Sequence, residues 1–244
     1  MRDDAWLAGF TKGMTELSRQ AGCPLLGGDT TRTAKVGDIH APVTISITAM
    51  GELPQSMGLT RAGARPGDDI WVSGCVGGAW AALMHRWGKL TLDARVFPSA
   101  ALAMDRPNPR NALGTALLSS ATACADISDG LAQDLGHILE RSGVDADVLW
   151  DAVPKHPALA ALSQEQQVEA AMSGGDDYEL VFTAPADKRG LIEQASISAL
   201  TPVTRIGRII EKKQSGAPLA IRDASGRPLF LPVQGFDHFA QGAD

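Results

Sequence analysis

Three short stretches of the chain set aspartate beside glycine or a small hydroxyl residue: "GGDTT" (Gly27–Thr31), "ADISDG" (Ala125–Gly130) and "GGDD" (Gly174–Asp177). Glycine lets a backbone approach a ligand closely, and carboxylates gathered at turns suit a hard, oxygen-preferring cation. In "ADISDG", Asp126 is read at a strand end and Asp129 on the first turn of the next helix. Both can then face one cleft, with the Ser128 hydroxyl between them. A helix N-terminus favours anions, so the same place suits a phosphate bridged by Mg²⁺. Taken singly, each stretch has a plainer role: aspartate and serine cap helices, and GGD makes turns. Three together favour a shared metal and phosphate chemistry. Competing chemistries lack their residues. The glycines of "GCVGGAW" have the wrong spacing for a dinucleotide fingerprint, and no nucleophile elbow or Walker-type lysine loop occurs. His40, His85, His137, His156 and His238 form no local metal-ligand pattern. Trp71, Trp80, Trp87 and Trp150 read as core. No residue is assigned as a catalytic acid, base or nucleophile.

The elements that must position these stretches alternate. Apolar residues at Trp6, Leu7, Phe10, Met14 and Leu17 predict a helix over residues 4–21, ended by Gly22. "CPLLGGDTTR" reads as a short strand running into a glycine turn, and the β-branched "PVTISITAMGEL" as a strand in an open sheet. A Gly/Pro-rich junction, "GARPGDD", follows, and a new α/β unit is expected to begin between Glu52 and Asp68. Beyond it come a strand "IWVSG" and a helix "GAWAALMHRW". "ATACADISDGLAQDLGHILERSG" is the clearest strand–turn–helix, with Leu131, Leu135, Ile138 and Leu139 on one face, Ser128 as N-cap and Gly143 as terminator. Helix "SQEQQVEAAM", strand "YELVFTA", helix "ADKRGLIEQAS" and strand "TRIGRII" complete the pattern.

Composition narrows the function further. The chain has 244 residues, 44% of them hydrophobic, enough for one large domain or two modest ones. Lys and Arg number 22 against 28 Asp and Glu, a net charge of −6. That balance excludes a nucleic-acid or anionic-membrane partner as the default. Cys23, Cys75 and Cys124 are odd in number and without CxxC spacing, which predicts free thiols in a reducing compartment. No apolar run is long enough to span a bilayer and no signal-type stretch follows Met1, so a soluble cytoplasmic protein is expected.

Five ordered motifs, "LLGGDTTR", "LTRAGARPGD", "ADISDGLAQDLGHI", "SGGDDYEL" and "GFDHF", together resemble the thiamine-monophosphate kinase family, in the superfamily of aminoimidazole ribonucleotide synthetase. The likeness runs from about Trp6 to Phe239. It implies a two-domain α/β fold of mixed sheets, with residues 1–53 the remnant of an N-terminal ATP- and Mg²⁺-binding domain and residues 54–244 a C-terminal α/β domain. It implies transfer of the ATP γ-phosphoryl group to thiamine monophosphate, with several Mg²⁺ ions. By the same resemblance Gly28, Asp29, Arg61 and Ser128 contact nucleotide. Asp29, Asp126 and Asp129 ligate Mg²⁺, and Asp176 and Phe236 contact substrate. Asp177 and Tyr178 read as supporting structure. The residues agree with such a reaction: a phosphate acceptor with a second pKa of about 6 is ionised near neutrality, so aligning two polyanions is the task.

The sequence also departs from the family pattern. Relatives carry further protein before "WLAGF", with a paired-aspartate motif, a Thr-Asp element and the strands through which subunits pair as a homodimer. On that comparison the N-terminal domain is expected to be incomplete, with an exposed sheet edge, and dimer formation by this chain is not implied. Relatives often place glutamate at Asp176 and an aromatic residue at Thr11. Two alternatives stay open at this stage: a chain that binds nucleotide or thiamine phosphate without catalysis, and a related enzyme with another small substrate.

Overall fold

The computed structural model describes residues 4–31, 43–54 and 58–229. The chain divides into two compact units, Met1–Leu53 and Pro54–Asp244.

In the first unit, helix α1 spans Asp4–Gln20, with Trp6 and Phe10 stacked at 5.6 Å one turn apart. None of its residues is buried. The strands expected over "CPLLGGDTTR" and "PVTISITAMGEL" do not form among the described residues. Residues 23–31 and 43–53 carry no regular structure, and Val43, Ile45 and Ile47 are exposed. The alternation of apolar side chains is present, but a strand exists only through a ladder to a neighbour.

The second unit holds a six-stranded mixed sheet with helices on both faces. In chain order its elements are β1 (Asp69–Ser73), α2 (Gly78–Arg86), α3 (Phe97–Asp105), α4 (Asn111–Leu117), β2 (Ala123–Asp126), α5 (Leu131–Ser142), β3 (Asp145–Leu149), α6 (Gln164–Val168), β4 (Leu180–Ala184), α7 (Arg189–Ser198), β5 (Val203–Ile210) and β6 (Leu219–Arg222). The strand order is β2-β4-β1-β5-β3-β6, antiparallel except for the parallel β3–β6 pair. Central strand β1 is buried along its whole length, which is why "DIWVS" does not alternate. Ile70 and Val72 point to one face, where Leu131, Leu135, Ile138 and Leu139 of α5 pack. Each of those side chains contributes about 1.5–3 kcal/mol by burial. Trp71 and Phe182 stack on the other face, over Leu113 and Leu117 of α4 and Ile192 of α7. Helix α5 ends at Gly143, with φ at 67°. Helix α6 begins with a capping box between Ser163 and Gln166 and passes into a π-helical turn, Glu169–Ser173, which delivers the chain to Gly174. No helix among the described residues is long and apolar enough to cross a membrane.

Candidate active site

Strands β2 and β4 pair from Ala123↔Thr183 to Asp126↔Leu180, and the pairing continues past both strand ends into the two motifs. The Ile127 N–H donates to the Glu179 carbonyl (2.8 Å), the Tyr178 N–H to the Ile127 carbonyl (2.9 Å) and the Asp176 N–H to the Ser128 carbonyl (2.9 Å). "DISDG" and "GGDDYE" are thereby one ribbon. Gly175, at φ 68°, is what permits the approach: a Cβ there would lie 2.6 Å from the Ser128 carbonyl oxygen. Its conformational freedom serves the contact of motif with motif.

The period of two along the ribbon sorts its acids. Asp176 and Tyr178 are exposed, whereas Gly175, Asp177 and Glu179 are buried. Asp177 accepts two bonds from the Gly77 N–H (2.8 and 3.0 Å) at the start of α2. Burial pushes its pKa up to about 7, against the lowering by the backbone N–H groups of Gly77 and Ala79. Glu179 is clasped in a fork by Arg110, whose Nε lies 2.6 Å away, and accepts the Ser73 hydroxyl. Both acids build the scaffold.

The outward acids are of another kind. Asp126 is exposed and Asp129 half-buried, and the Tyr178 hydroxyl donates to Asp176 Oδ1 at 3.2 Å. Burial pushes that hydroxyl above its ordinary pKa, and the charges of Asp176, Asp126 and Asp129 push the same way. Asp129 accepts only a long bond from Gln133 Nε2, 3.3 Å. Among the described residues no cationic side chain lies within ion-pair distance of Asp126, Asp129 or Asp176. Like charges left without counter-ions repel one another, although among the described residues no three acidic, histidine or cysteine side chains stand close enough together to form a ready-made metal cluster.

Two local expectations are corrected. Ser128 is not the N-cap of α5; Gly130 is, with φ at 113°. Asp129 precedes the helix and is not on its first turn. The reason is Asp134, which accepts the N–H groups of both Ser128 (2.9 Å) and Asp129 (3.0 Å) and so holds the turn off the helix axis. Burial raises the Asp134 pKa, the two backbone bonds lower it, and the charges of Asp129 and Asp126 raise it. Asp134 sits among the leucines of an apolar helical pattern, which masks its role in the sequence. An acid near a helix start was the available signal. Arg110 and Ser73 carried none, because their partner Glu179 is distant in sequence.

Of the other expected site residues, Arg61 is exposed on a segment along the outer edge of β2. There the Cys124 N–H donates to the Thr60 carbonyl, and Ser142 Oγ donates to the Arg61 carbonyl. Its guanidinium has no carboxylate partner among the described residues. Gly28 and Asp29 lie exposed in the first unit, where Asp29 Oδ1 accepts the Thr30 N–H at 2.8 Å. Phe236 and the "GFDHF" motif lie outside the described residues.

Comparison with known proteins decides the family. Residues 65–219 match the AIR synthase related protein, C-terminal domain, and residues 1–53 the corresponding N-terminal domain. The chain is 36% identical over 240 residues to the thiamine-monophosphate kinase of Escherichia coli strain K12, covering 98% of this chain and 70% of that one. It belongs to the thiamine-monophosphate kinase family. The Haemophilus influenzae thiamine-monophosphate kinase is 37% identical over 243 residues. The crystal structure of the Stenotrophomonas maltophilia K279a thiamine-monophosphate kinase superposes with a TM-score of 0.80 at 39% identity, over 91% of this chain and 68% of that one. The structure of AaThiL complexed with AMPPCP and TMP matches with a TM-score of 0.59 at 27% identity, over 74% and 54% of the two chains.

Proposed function

We infer that this protein phosphorylates thiamine monophosphate with ATP, giving thiamine diphosphate by direct phosphoryl transfer. The observation that carries the reading is the ribbon that gathers Asp126, Asp129 and Asp176, without cationic partners, in a chain of this family. The relative's complex with AMPPCP, an ATP analogue, and TMP supports both substrates.

The acceptor is already an anion, so no side chain has to remove a proton from it. What the protein must supply is position and charge compensation. Asp126 and Asp129 would hold Mg²⁺, and Asp29 of the first unit is proposed in its own right as a Mg²⁺ ligand. The cation would neutralise charge on the phosphoryl oxygens. Ser128, Gly28 and Arg61 are proposed to contact the nucleotide, Arg61 through its guanidinium, which has no carboxylate partner among the described residues, and Asp176 and Phe236 the thiamine moiety. Asp134 and the Arg110–Glu179–Ser73 cluster keep the ribbon fixed, so that the acids do not have to be ordered when ligands arrive.

The test is thiamine diphosphate formation from thiamine monophosphate, ATP and Mg²⁺, followed by chromatography. Product that requires all three is expected. A folded chain that forms none, or that phosphorylates thiamine monophosphate equally well in chelator, would overturn the reading. Calorimetry of AMPPCP with and without Mg²⁺ separates binding from turnover.

A further inference from the structure

Tyr178 combines three properties that are seldom found in one side chain. Its backbone stands at φ 50°, in the left-handed region that glycine and asparagine occupy readily and a bulky aromatic residue rarely does. The residue is 43% exposed, so burial compensates only in part for that conformation. And its hydroxyl donates to Asp176 at 3.2 Å, with the charges of Asp126 and Asp129 near enough to act on it. An exposed, strained residue of this kind points to a role outside the fold.

The chemistry of the place narrows that role. The face of a phenol ring is electronegative and attracts flat cations, and the Asp176 carboxylate that accepts its hydroxyl adds to the same potential. The substrate has two unlike ends, a phosphate and a permanently cationic thiazolium ring. The phosphate end would be drawn to Mg²⁺ held at Asp126 and Asp129, whereas the thiazolium end is attracted directly to the Asp176 carboxylate. We propose that the exposed face of Tyr178 binds the thiazolium ring of thiamine monophosphate. The hydroxyl bond to Asp176 holds the ring at a fixed angle and places a carboxylate beside the bound cation. This assignment rests on the thiamine-monophosphate reading and makes Tyr178 a determinant of specificity for a cationic ring, where sequence alone gave it a supporting part.

Three variants test it: Tyr178→Phe, Tyr178→Leu and Tyr178→Asn. The ring reading expects Phe to keep the KM for thiamine monophosphate within about twofold. Leu and Asn should raise it about five- to thirtyfold, with kcat and the KM for ATP little changed. Asn also relieves the left-handed backbone, so its Tm should equal or exceed that of the parent. Loss of affinity without loss of stability is an outcome a merely structural tyrosine would not give. An unchanged KM in Leu and Asn overturns the proposal. Equal losses in Phe and Asn assign the effect to the hydroxyl and overturn it as well.

If the parent chain forms no thiamine diphosphate, the function reading fails separately, and calorimetry with thiamine monophosphate still tests Tyr178. Weaker binding to Asn than to Phe supports it. Equal binding to both, or none to the parent, overturns it. A second comparison isolates charge: 4-methyl-5-(2-phosphoethyl)thiazole and its N-methyl thiazolium differ by one positive charge. The cation should compete at least about fivefold better on the parent and lose that preference in Tyr178→Asn. No preference on the parent overturns the proposal.

Discussion

At the residue scale the acids of this site divide by what surrounds them. Asp126 is exposed, and among the described residues its side chain forms no ion pair, so Asp126→Asn should leave Tm unchanged while weakening Mg²⁺-dependent AMPPCP binding by at least about tenfold, read by calorimetry. Asp177 is the opposite case. Burial lifts its pKa from 3.8 to about 7. The folded state therefore keeps a proton that the unfolded chain has already released. Its contribution to stability is fully present below about pH 4 and is lost as pH rises towards about 7. Asp177→Asn should remove that component: the denaturant midpoint of the parent should fall relative to the variant between those two pH values. A parallel pair of pH profiles would contradict the assignment.

At the element scale the turn between β2 and α5 depends on Gly130. A Cβ at that position would stand 2.8 Å from the Met172 carbonyl oxygen and from Ser173 Cα, at a φ of 113°. Both obstacles are backbone and cannot swing aside. Gly130→Ala should cost about 2 kcal/mol or more, a fall in Tm of roughly 4–8 °C by calorimetry. The elements that sequence patterning revealed are the helices α1, α2, α5, α6 and α7, with apolar residues at helical spacing, and the apolar or β-branched strands β1, β2, β4 and β5. The short α3, α4, β3 and β6 escaped because each is too brief to repeat a pattern and takes its burial from neighbours across the fold. The strands read into residues 23–32 and 42–53 show the reverse failure over their described parts, 23–31 and 43–53. Alternation marks a side chain's willingness to pair, and the ladder itself depends on a partner that no local pattern records.

At the scale of the whole molecule the ribbon is anchored by residues from separate elements. Arg110 precedes α4, Ser73 ends β1, and both hold Glu179 at the base of the ribbon. Arg110→Ala leaves a buried carboxylate without its cation and should cost about 3–5 kcal/mol by urea unfolding. Adding Glu179→Gln to it should restore part of that loss, since the uncompensated charge goes with it. Residue type and turn context single out Asp126, Asp129 and Asp176 as turn acids, while the metal and substrate roles proposed for them come from the family resemblance. Their supports, Asp134, Arg110 and Ser73, were not legible, because hydrogen bonds between distant segments leave no spacing to read.

The ladder that joins the two motifs also has a kinetic meaning. The amides of Ile127, Asp176 and Tyr178 each donate across it, so solvent reaches any of them only when the seam between the motifs parts. Under native conditions these three amides should exchange with deuterium at a common rate, and a ligand held by either motif should slow all three together. What the sequence writes as two separate signatures then opens and closes as one hinge.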